Sequence, residues 1–211
     1  MATVPPQPRK QKPNGALDRS FFAQSASDLA TSLPGAIMVR RVGRALRRAR
    51  IVEVEAYLGP QDLASHSSKG RTARTEVMFG PPGHAYVYFI YGMHWMFNVV
   101  AGVEGEAHAV LIRAAEPLDG WQADLTGPAK LAKQFHITRS DNGRDITVHD
   151  IHFLPAAGYQ PRLIKTKRIG VDYAGRWKDR LLRFVDGASP ASRIYEVDAG
   201  LRPEGRQGPL A

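Results

Sequence analysis

The central segment of the chain reads Ile51-Val-Glu-Val-Glu-Ala-Tyr-Leu58, in which apolar residues alternate with residues that carry a carboxylate or a phenol. A period of two is typical of a β-strand, and it places Glu53, Glu55 and Tyr57 on one face. Two interpretations of that face are open. It is an ordinary solvent-exposed strand side, since Asp and Glu are mostly exposed in proteins, or it is a site in which two carboxylates and an aromatic ring share one space.

Strand patterns continue on both sides of this segment. Residues 36–42 and 46–58 are predicted to form a hairpin around Gly43-Arg44. Three later runs rich in β-branched and aromatic residues are also predicted strands: Tyr86 to Ile90, Phe97 to Val103 and Ala107 to Arg113. Ser25 with Asp28 predicts a capped helix, and Thr126-Gly127-Pro128 opens another that runs to Lys133. The pattern predicts a single α+β domain with a largely antiparallel sheet.

Charge and composition favour an anionic partner. The chain has 211 residues, of which 43% are hydrophobic, so it can bury the core of one compact domain. Its net charge is +9, which predicts attraction to nucleic acid or to an anionic membrane. The predicted hairpin carries six arginines and is expected to form a positive edge: Arg40, Arg41, Arg44, Arg47, Arg48 and Arg50. Residues 162–184 form a second basic segment.

Several classes of protein are disfavoured. Cysteine is absent, which excludes disulfides, thiolate metal sites and cysteine nucleophiles and fits a reducing compartment. Residues 1–15 are rich in proline and basic residues and lack the apolar core of a secretory signal, so we predict a disordered basic tail before a domain over 16–211. Residues 80–103 contain no charged side chain, but their prolines, tyrosines and histidines favour a pair of buried strands over a membrane span.

A tyrosine-rich cluster and one arginine stand out as further candidates. Tyr88 and Tyr91 are three residues apart and would face opposite sides of a regular strand. Either one of them is a core residue, or the chain turns at Gly92 and presents Tyr91 at a tip. Arg113 lies in an apolar run, where a buried charge requires a carboxylate partner, and Glu55 is a candidate. The histidines lack the spacing of a zinc site, so no metal is predicted.

Seven motifs and one asparagine occur in order along the chain: Ile51-Val-Glu-Val-Glu-Ala-Tyr-Leu-Gly-Pro60, Ala64-Ser-His-Ser67, Met78-Phe-Gly-Pro-Pro-Gly83, Tyr86-Val-Tyr88, Ile90-Tyr-Gly-Met93, Asn98, Leu111-Ile-Arg-Ala-Ala-Glu-Pro117 and Gly127-Pro-Ala-Lys-Leu131. Together they closely resemble the alkyladenine (3-methyladenine) DNA glycosylase family, from about Phe21 through Phe184. The resemblance implies a single α+β domain with a curved, mostly antiparallel sheet and a positively charged DNA-binding face.

The resemblance also implies roles for the matched residues. Glu55 corresponds to the general base that activates the attacking water, and Arg113 to the arginine that helps to hold that water. The walls that stack on the extruded base correspond to three residues: Tyr57, His66 and Tyr88. Asn98 corresponds to the side chain that disfavours ordinary guanine. Tyr91 corresponds to the wedge that enters the duplex, and Met93 to its apolar neighbour.

The activity implied is that of a monofunctional base-excision repair enzyme without a cofactor. Its partner would be double-stranded DNA containing 3-methyladenine, 7-methylguanine, hypoxanthine or etheno adducts, with no membrane and one copy of the chain. Such an enzyme is expected in the cytoplasm, with the nucleoid, in a bacterium and in the nucleus in a eukaryote. Two alternatives stay open: a non-catalytic binder of damaged or bent DNA, and a carbohydrate hydrolase built on Glu53 and Glu55.

Overall fold

The strands form one antiparallel sheet. In the computed structural model, which describes residues 12–192, eight strands pair in this sheet, which curls into a half-barrel. The strands are β1 (Ile37–Val42), β2 (Ala45–Leu58), β3 (Ala85–Ile90), β4 (His94–Ala101), β5 (His108–Pro117), β6 (Ile151–Leu154), β7 (Leu163–Thr166) and β8 (Arg183–Asp186). Their order is β3-β4-β5-β2-β1-β6, and β7 joins through β8, which also pairs with β2.

Short helices cover the sheet. They are α1 (Arg19–Phe22), α2 (Ala26–Ser32) and α3 (Pro128–Gln134), with 3₁₀ helices at His66–Lys69, Glu76–Phe79, Arg139–Asp141 and Asp172–Asp179. The Ser25 hydroxyl accepts a hydrogen bond from the Asp28 N–H and so begins α2 as the sequence predicts. Phe22 and Leu29 pack in the same core as Val54 and Ala56 of β2. Both faces of β2 are therefore buried around its centre. The prediction of an α+β fold is confirmed.

The predicted strand bounds differ from the observed ones most at β4 and β5, and β6, β7 and β8 were not predicted. β5 ends at Pro117, four residues after the predicted Arg113. β4 begins at His94, three residues before the predicted Phe97, because the turn at residues 91–93 is short enough for Ile90 to pair with His94. The predicted pair of strands within residues 80–103 is confirmed as β3 and β4. Within residues 12–192, no helix is long and apolar enough to cross a membrane.

Two compensating irregularities interrupt the pairing of β2 with β5. Ile51 lies opposite Ala115, but Glu53 lies opposite Ala114 and Val54 opposite Ile112. One residue of β2 and then one residue of β5, Arg113, are therefore left outside the regular register. Such bulges re-aim side chains next to functional sites. Here the bulge lies where Arg113 meets the carboxylates of β2.

The predicted positive edge is only partly formed, because carboxylates from distant elements pair with its arginines. Arg40 is buried and donates two hydrogen bonds to Asp141, at 3.0 and 3.1 Å. Arg48 and Arg50 form ion pairs with Asp119 and Glu116, each at 3.1 Å.

Arg41 and Arg44 are exposed beside the hairpin turn. At about 3.3 Å per residue, the strand from Arg44 to Glu55 spans roughly 35 Å. The exposed arginines of the hairpin are therefore far from Glu55.

The predicted tail lies largely outside the described residues. Of residues 1–15, only 12–15 are described, and there the Ala16 N–H closes a turn on the Pro13 carbonyl. Residues 193–211 of the predicted domain also lie outside the described part.

Candidate active site

A pocket of about 290 Å³ lies where β2 to β5 meet the 3₁₀ helix His66–Lys69 and the chain that follows β7. Small-molecule sites begin at roughly 300 Å³, so the pocket suits one small planar group. Six of the predicted site residues line it: Tyr57, His66, Tyr88, Tyr91, Asn98 and Arg113. Glu55 lies directly behind this lining and contacts three of its members, Tyr57, Arg113 and Ile169. Met93 is outside the lining, 66% exposed on the turn after β3.

Glu55 is fully buried and is held by two hydrogen bonds and one ion pair. Its Oε1 accepts from the Ile169 N–H at 2.8 Å and lies 3.2 Å from Arg113 Nη1, while its Oε2 accepts from the Tyr57 hydroxyl at 2.9 Å. Glu53, on the same face, is only 4% exposed. The interpretation of this face as a solvent-exposed strand side is therefore wrong. A carboxylate offers about four acceptor positions, so an acceptor position remains on Oε2, beside the pocket-lining Tyr57.

Arg113 joins the two glutamates of β2. Its Nε donates to Glu53 Oε1 at 2.8 Å, and its Nη1 faces Glu55. Burial opposes its charge, but the two carboxylates outweigh that cost and raise the pKa of Arg113. The prediction that this buried arginine has a carboxylate partner, with Glu55 as a candidate, is confirmed, and Glu53 is a second partner.

Aromatic rings form one wall of the pocket. The rings of His66 and Tyr88 meet edge to face with centroids 4.5 Å apart, and those of Tyr86 and Tyr88 are 5.5 Å apart. Burial raises the pKa of both tyrosines. Tyr86 was not predicted as a site residue, although its spacing of two from Tyr88 places both on one face of β3.

His66 is neutral in this wall. Burial, together with the charges of Arg74 and Lys69, lowers the pKa of His66 to about 4. Arg74 Nη2 lies 3.4 Å from His66 Nε2, and because an arginine only donates, Nε2 is the acceptor. The ring proton is then on Nδ1, which lies 2.9 Å from the Tyr86 hydroxyl and donates to it. The ring orientation is thereby fixed at both nitrogens.

Tyr91 lies at the tip of the turn between β3 and β4. It is 81% exposed, and its backbone φ is 53°, followed by Gly92 at 68°. A non-glycine residue in this left-handed region costs about 1 kcal/mol or more, which packing of the surrounding structure must offset. Of the two interpretations of Tyr91, the turn tip is confirmed and the core residue is wrong. Its role as a wedge stays a prediction.

Asn98 is buried on β4 and lines the pocket. Its Nδ2 donates to the Tyr86 carbonyl at 3.0 Å, across the β3–β4 pair. The amide is therefore fixed in one orientation toward the pocket.

The segment after β7 contributes residues that sequence reasoning missed. The Ile169 N–H binds Glu55, and Tyr173 lines the pocket and donates to the Ala64 carbonyl at 3.2 Å. The preceding Arg168 is buried with Asp62: its two Nη atoms donate to the carboxylate at 2.5 and 2.9 Å. Residues 162–184 were interpreted only as a basic segment, because their contacts reach across more than 100 residues of sequence. No local pattern marks such contacts.

The geometry combines an aromatic slot with an oriented, buried carboxylate. A flat, electron-poor ring would stack in the slot, and a water at Glu55 would be polarised beside it. Among the residues that the structure describes, no group of three or more histidine, aspartate or glutamate side chains could hold a metal ion.

Comparison with known proteins agrees with this arrangement. Residues 20–190 match the methylpurine-DNA glycosylase family. A protein of Anaeromyxobacter sp. (strain Fw109-5) is 45% identical over 179 residues, covering 84% of this chain and 92% of its own. One of Legionella pneumophila (strain Lens) is 48% identical over 177 residues, covering 82% and 96%. Both are named "Putative 3-methyladenine DNA glycosylase". The chain therefore belongs to the methylpurine-DNA glycosylase family and is a DNA glycosylase.

Proposed function

We propose that this DNA glycosylase extrudes alkylated or deaminated purines from duplex DNA into the pocket and hydrolyses their N-glycosidic bond with a water activated by Glu55. The observation that carries the proposal is the buried Glu55 carboxylate, which is oriented by three contacts and retains an acceptor position beside an aromatic slot. Candidate substrates are 3-methyladenine, 7-methylguanine, hypoxanthine and etheno adducts. The names of the relatives support the first of these.

The reaction balances with one water and no cofactor. The bond between C1′ and the purine nitrogen breaks, and its electron pair leaves with the base. A cationic alkylated purine leaves as the neutral base, whereas hypoxanthine or an etheno adduct takes up a proton from solvent as it leaves. Water attacks C1′, and its proton passes to Glu55. The sugar carries positive charge in the transition state, which the Glu55 carboxylate stabilises at close range. Arg113 holds the orientation of Glu55 and offers further N–H groups to the water.

Extrusion of the base has an energetic cost that the pocket offsets. Unstacking and unpairing one nucleotide costs a few kcal/mol, and less when the base is damaged and pairs poorly. Stacking between Tyr57, Tyr88 and the neutral His66 recovers part of that cost. An alkylated purine that carries positive charge is attracted further by the faces of the tyrosine rings.

Tyr91→Ala is expected to separate a wedge from a structural residue. The ring is 81% exposed, so the melting temperature should change little, as for surface substitutions generally. The rate constant for base release under single-turnover conditions should fall. The gap at the extruded nucleotide goes unfilled, so the free energy of extrusion becomes less favourable by an amount on the order of a few kcal/mol. Leu46→Ala, a half-exposed residue of the distant hairpin, is the control and should leave both quantities unchanged. A lower melting temperature with preserved turnover per folded molecule would contradict the role of Tyr91 as a wedge.

We further expect hydrolysis without strand cleavage. Glycosylases that cut the strand need an amine nucleophile at the sugar, and within residues 12–192 no lysine lines the pocket. Borohydride added during turnover should therefore trap no covalent enzyme–DNA adduct, and the abasic strand should remain intact until alkali is added. A trapped adduct would show that a lysine or the N-terminal amine reaches the sugar.

The proposed function is tested directly by release of free base from duplexes that contain an alkylated purine or inosine, without added metal or nucleotide. We expect free base and an abasic duplex. A non-catalytic binder would retain the damaged duplex and release nothing. Family membership argues against the carbohydrate hydrolase, and Glu53 and Glu55 are both engaged by Arg113 rather than placed across an open cleft.

A further inference from the structure

We propose that Glu53 is a positioning residue that fixes the Arg113 guanidinium against Glu55, with Arg183 bracing Glu53 from the other side. The proposal rests on the proposed function of Glu55 and Arg113. Glu53 contacts Arg113 and Arg183, and of these two partners only Arg113 lines the pocket, so Glu53 would act on the reaction through Arg113.

Glu53 connects the pocket-lining Arg113 to the buried Arg183 through one oxygen. Its Oε1 accepts from Arg113 Nε at 2.8 Å and from Arg183 Nη1 at 3.1 Å. Arg183 is fully buried, and its Nε donates to Thr166 Oγ1 at 2.8 Å, across the β7–β8 pair. The brace therefore extends from the edge of the sheet to the wall of the pocket, and each partner in it is anchored by a separate strand.

The contact at Nε sets the orientation of the whole guanidinium. Because that group is planar and its N–H directions are rigid, fixing Nε also fixes where the two Nη atoms point. Arg113 then makes its closest approach to Glu55 with Nη1, at 3.2 Å. Without Glu53, the guanidinium is free to form the paired, two-bond arrangement that arginine prefers with a carboxylate. That arrangement would occupy the acceptor position on Glu55 that the water requires.

The charges of the cluster also predict that Arg113 shifts when Glu53 is neutralised. Glu53 and Glu55 face Arg113 and Arg183, and all four side chains are nearly or fully buried. Removing the charge of Glu53 would leave Glu55 as the carboxylate that the Arg113 guanidinium faces. Attraction in this poorly solvated place is strong, so Arg113 would move toward Glu55.

The test is Glu53→Gln in single-turnover base release with saturating enzyme. We expect the rate constant per folded molecule to fall about 100-fold, as for misplaced catalytic groups, while affinity for the damaged duplex changes little. Asp141→Asn is the matched control, because it removes one carboxylate charge from the buried Arg40–Asp141 pair, outside the pocket lining. It should lower stability and leave the rate constant per folded molecule unchanged. A wild-type rate constant in Glu53→Gln overturns the proposal.

A double-mutant cycle with Arg113→Lys tests whether Glu53 acts through Arg113. If it does, Glu53→Gln should add almost nothing to the loss already caused by Arg113→Lys. Independent, multiplying losses would overturn the proposal.

If Glu53→Gln does not fold, Glu53→Asp is the second test of the proposal. It keeps the negative charge but shortens the side chain by one methylene, so the Arg113 guanidinium would shift away from Glu55. A loss of about tenfold or more supports positioning, because displacements of this size are costly in catalysis, and a wild-type rate overturns it. Normal turnover of Glu55→Gln would instead refute the proposed function itself.

Discussion

Glu55→Gln is expected to abolish detectable base release while leaving the fold and the binding of a damaged duplex largely intact. An amide cannot accept the proton of the water, and loss of a general base costs about 10² to 10⁴ in rate, or roughly 3 to 5 kcal/mol of barrier. Glutamine fits the existing contacts. Its oxygen can accept from the Ile169 N–H and Arg113, and its NH₂ can donate to the Tyr57 hydroxyl, which also accepts.

The measurement is the single-turnover rate constant for base release, with duplex affinity determined on the same preparation. Glu116→Gln is the matched control. It makes the same chemical change at a partly exposed glutamate of β5 that pairs with Arg50, outside the pocket. We expect wild-type rates from this control. Normal turnover by Glu55→Gln would show that another group activates the water.

Asp62→Asn is expected to destabilise the protein by about 3 to 5 kcal/mol, the usual cost of leaving one partner of a buried ion pair uncompensated. Asp62 and Arg168 are both fully buried, and Arg168 also donates to the Ala56 carbonyl at 2.8 Å. The lost free energy is a large fraction of the roughly 5 to 15 kcal/mol by which a domain is stable. The pair also secures the chain next to Ile169, whose N–H binds Glu55. Base release per folded molecule should therefore fall as well.

Chemical denaturation measures the stability, with Asp124→Asn as the control. Asp124 forms an ion pair with Lys130 at 2.5 Å, but both side chains are about half exposed, at 54% and 49%. Exposed pairs contribute roughly 0 to 1 kcal/mol, so the same substitution should have little effect there. Equal losses at the two sites would mean that burial does not decide the cost. Unchanged base release in Asp62→Asn would show that Arg168 does not contribute to the orientation of Glu55.

Much of the sheet was predictable because strand patterns are local. The alternation in residues 51–58 identified β2 and placed Glu53, Glu55 and Tyr57 on one face, where the structure has the Glu55–Tyr57 hydrogen bond and both contacts to Arg113. Glycine at position 92 indicated the turn that exposes Tyr91. The roles of the individual site residues came from the resemblance of the ordered motifs to a known family, and periodicity alone would not have assigned them.

The partners of the charged residues were not predictable, and the arginines show why. Six arginines in one hairpin predicted a positive edge, but Arg40 and Arg50 pair with carboxylates 101 and 66 residues away. Arg168 and Arg183 read as members of a basic segment, yet both are buried against carboxylates of the first half of the chain. Whether a charge is solvated or paired depends on what the fold brings against it, and a count of charges contains no such information.

The sequence by itself thus determined the strand periods, the fold class and, through its motifs, the family. Only the tertiary structure decided that the face of Glu55 is buried, that Arg113 leaves the regular register of β5 to join Glu53 and Glu55, and that the chain around Ile169 completes the site. The physical reason is the range of the interactions. Periodicity arises between residues two to four positions apart, whereas burial and ion pairing here join residues 60 to 130 positions apart.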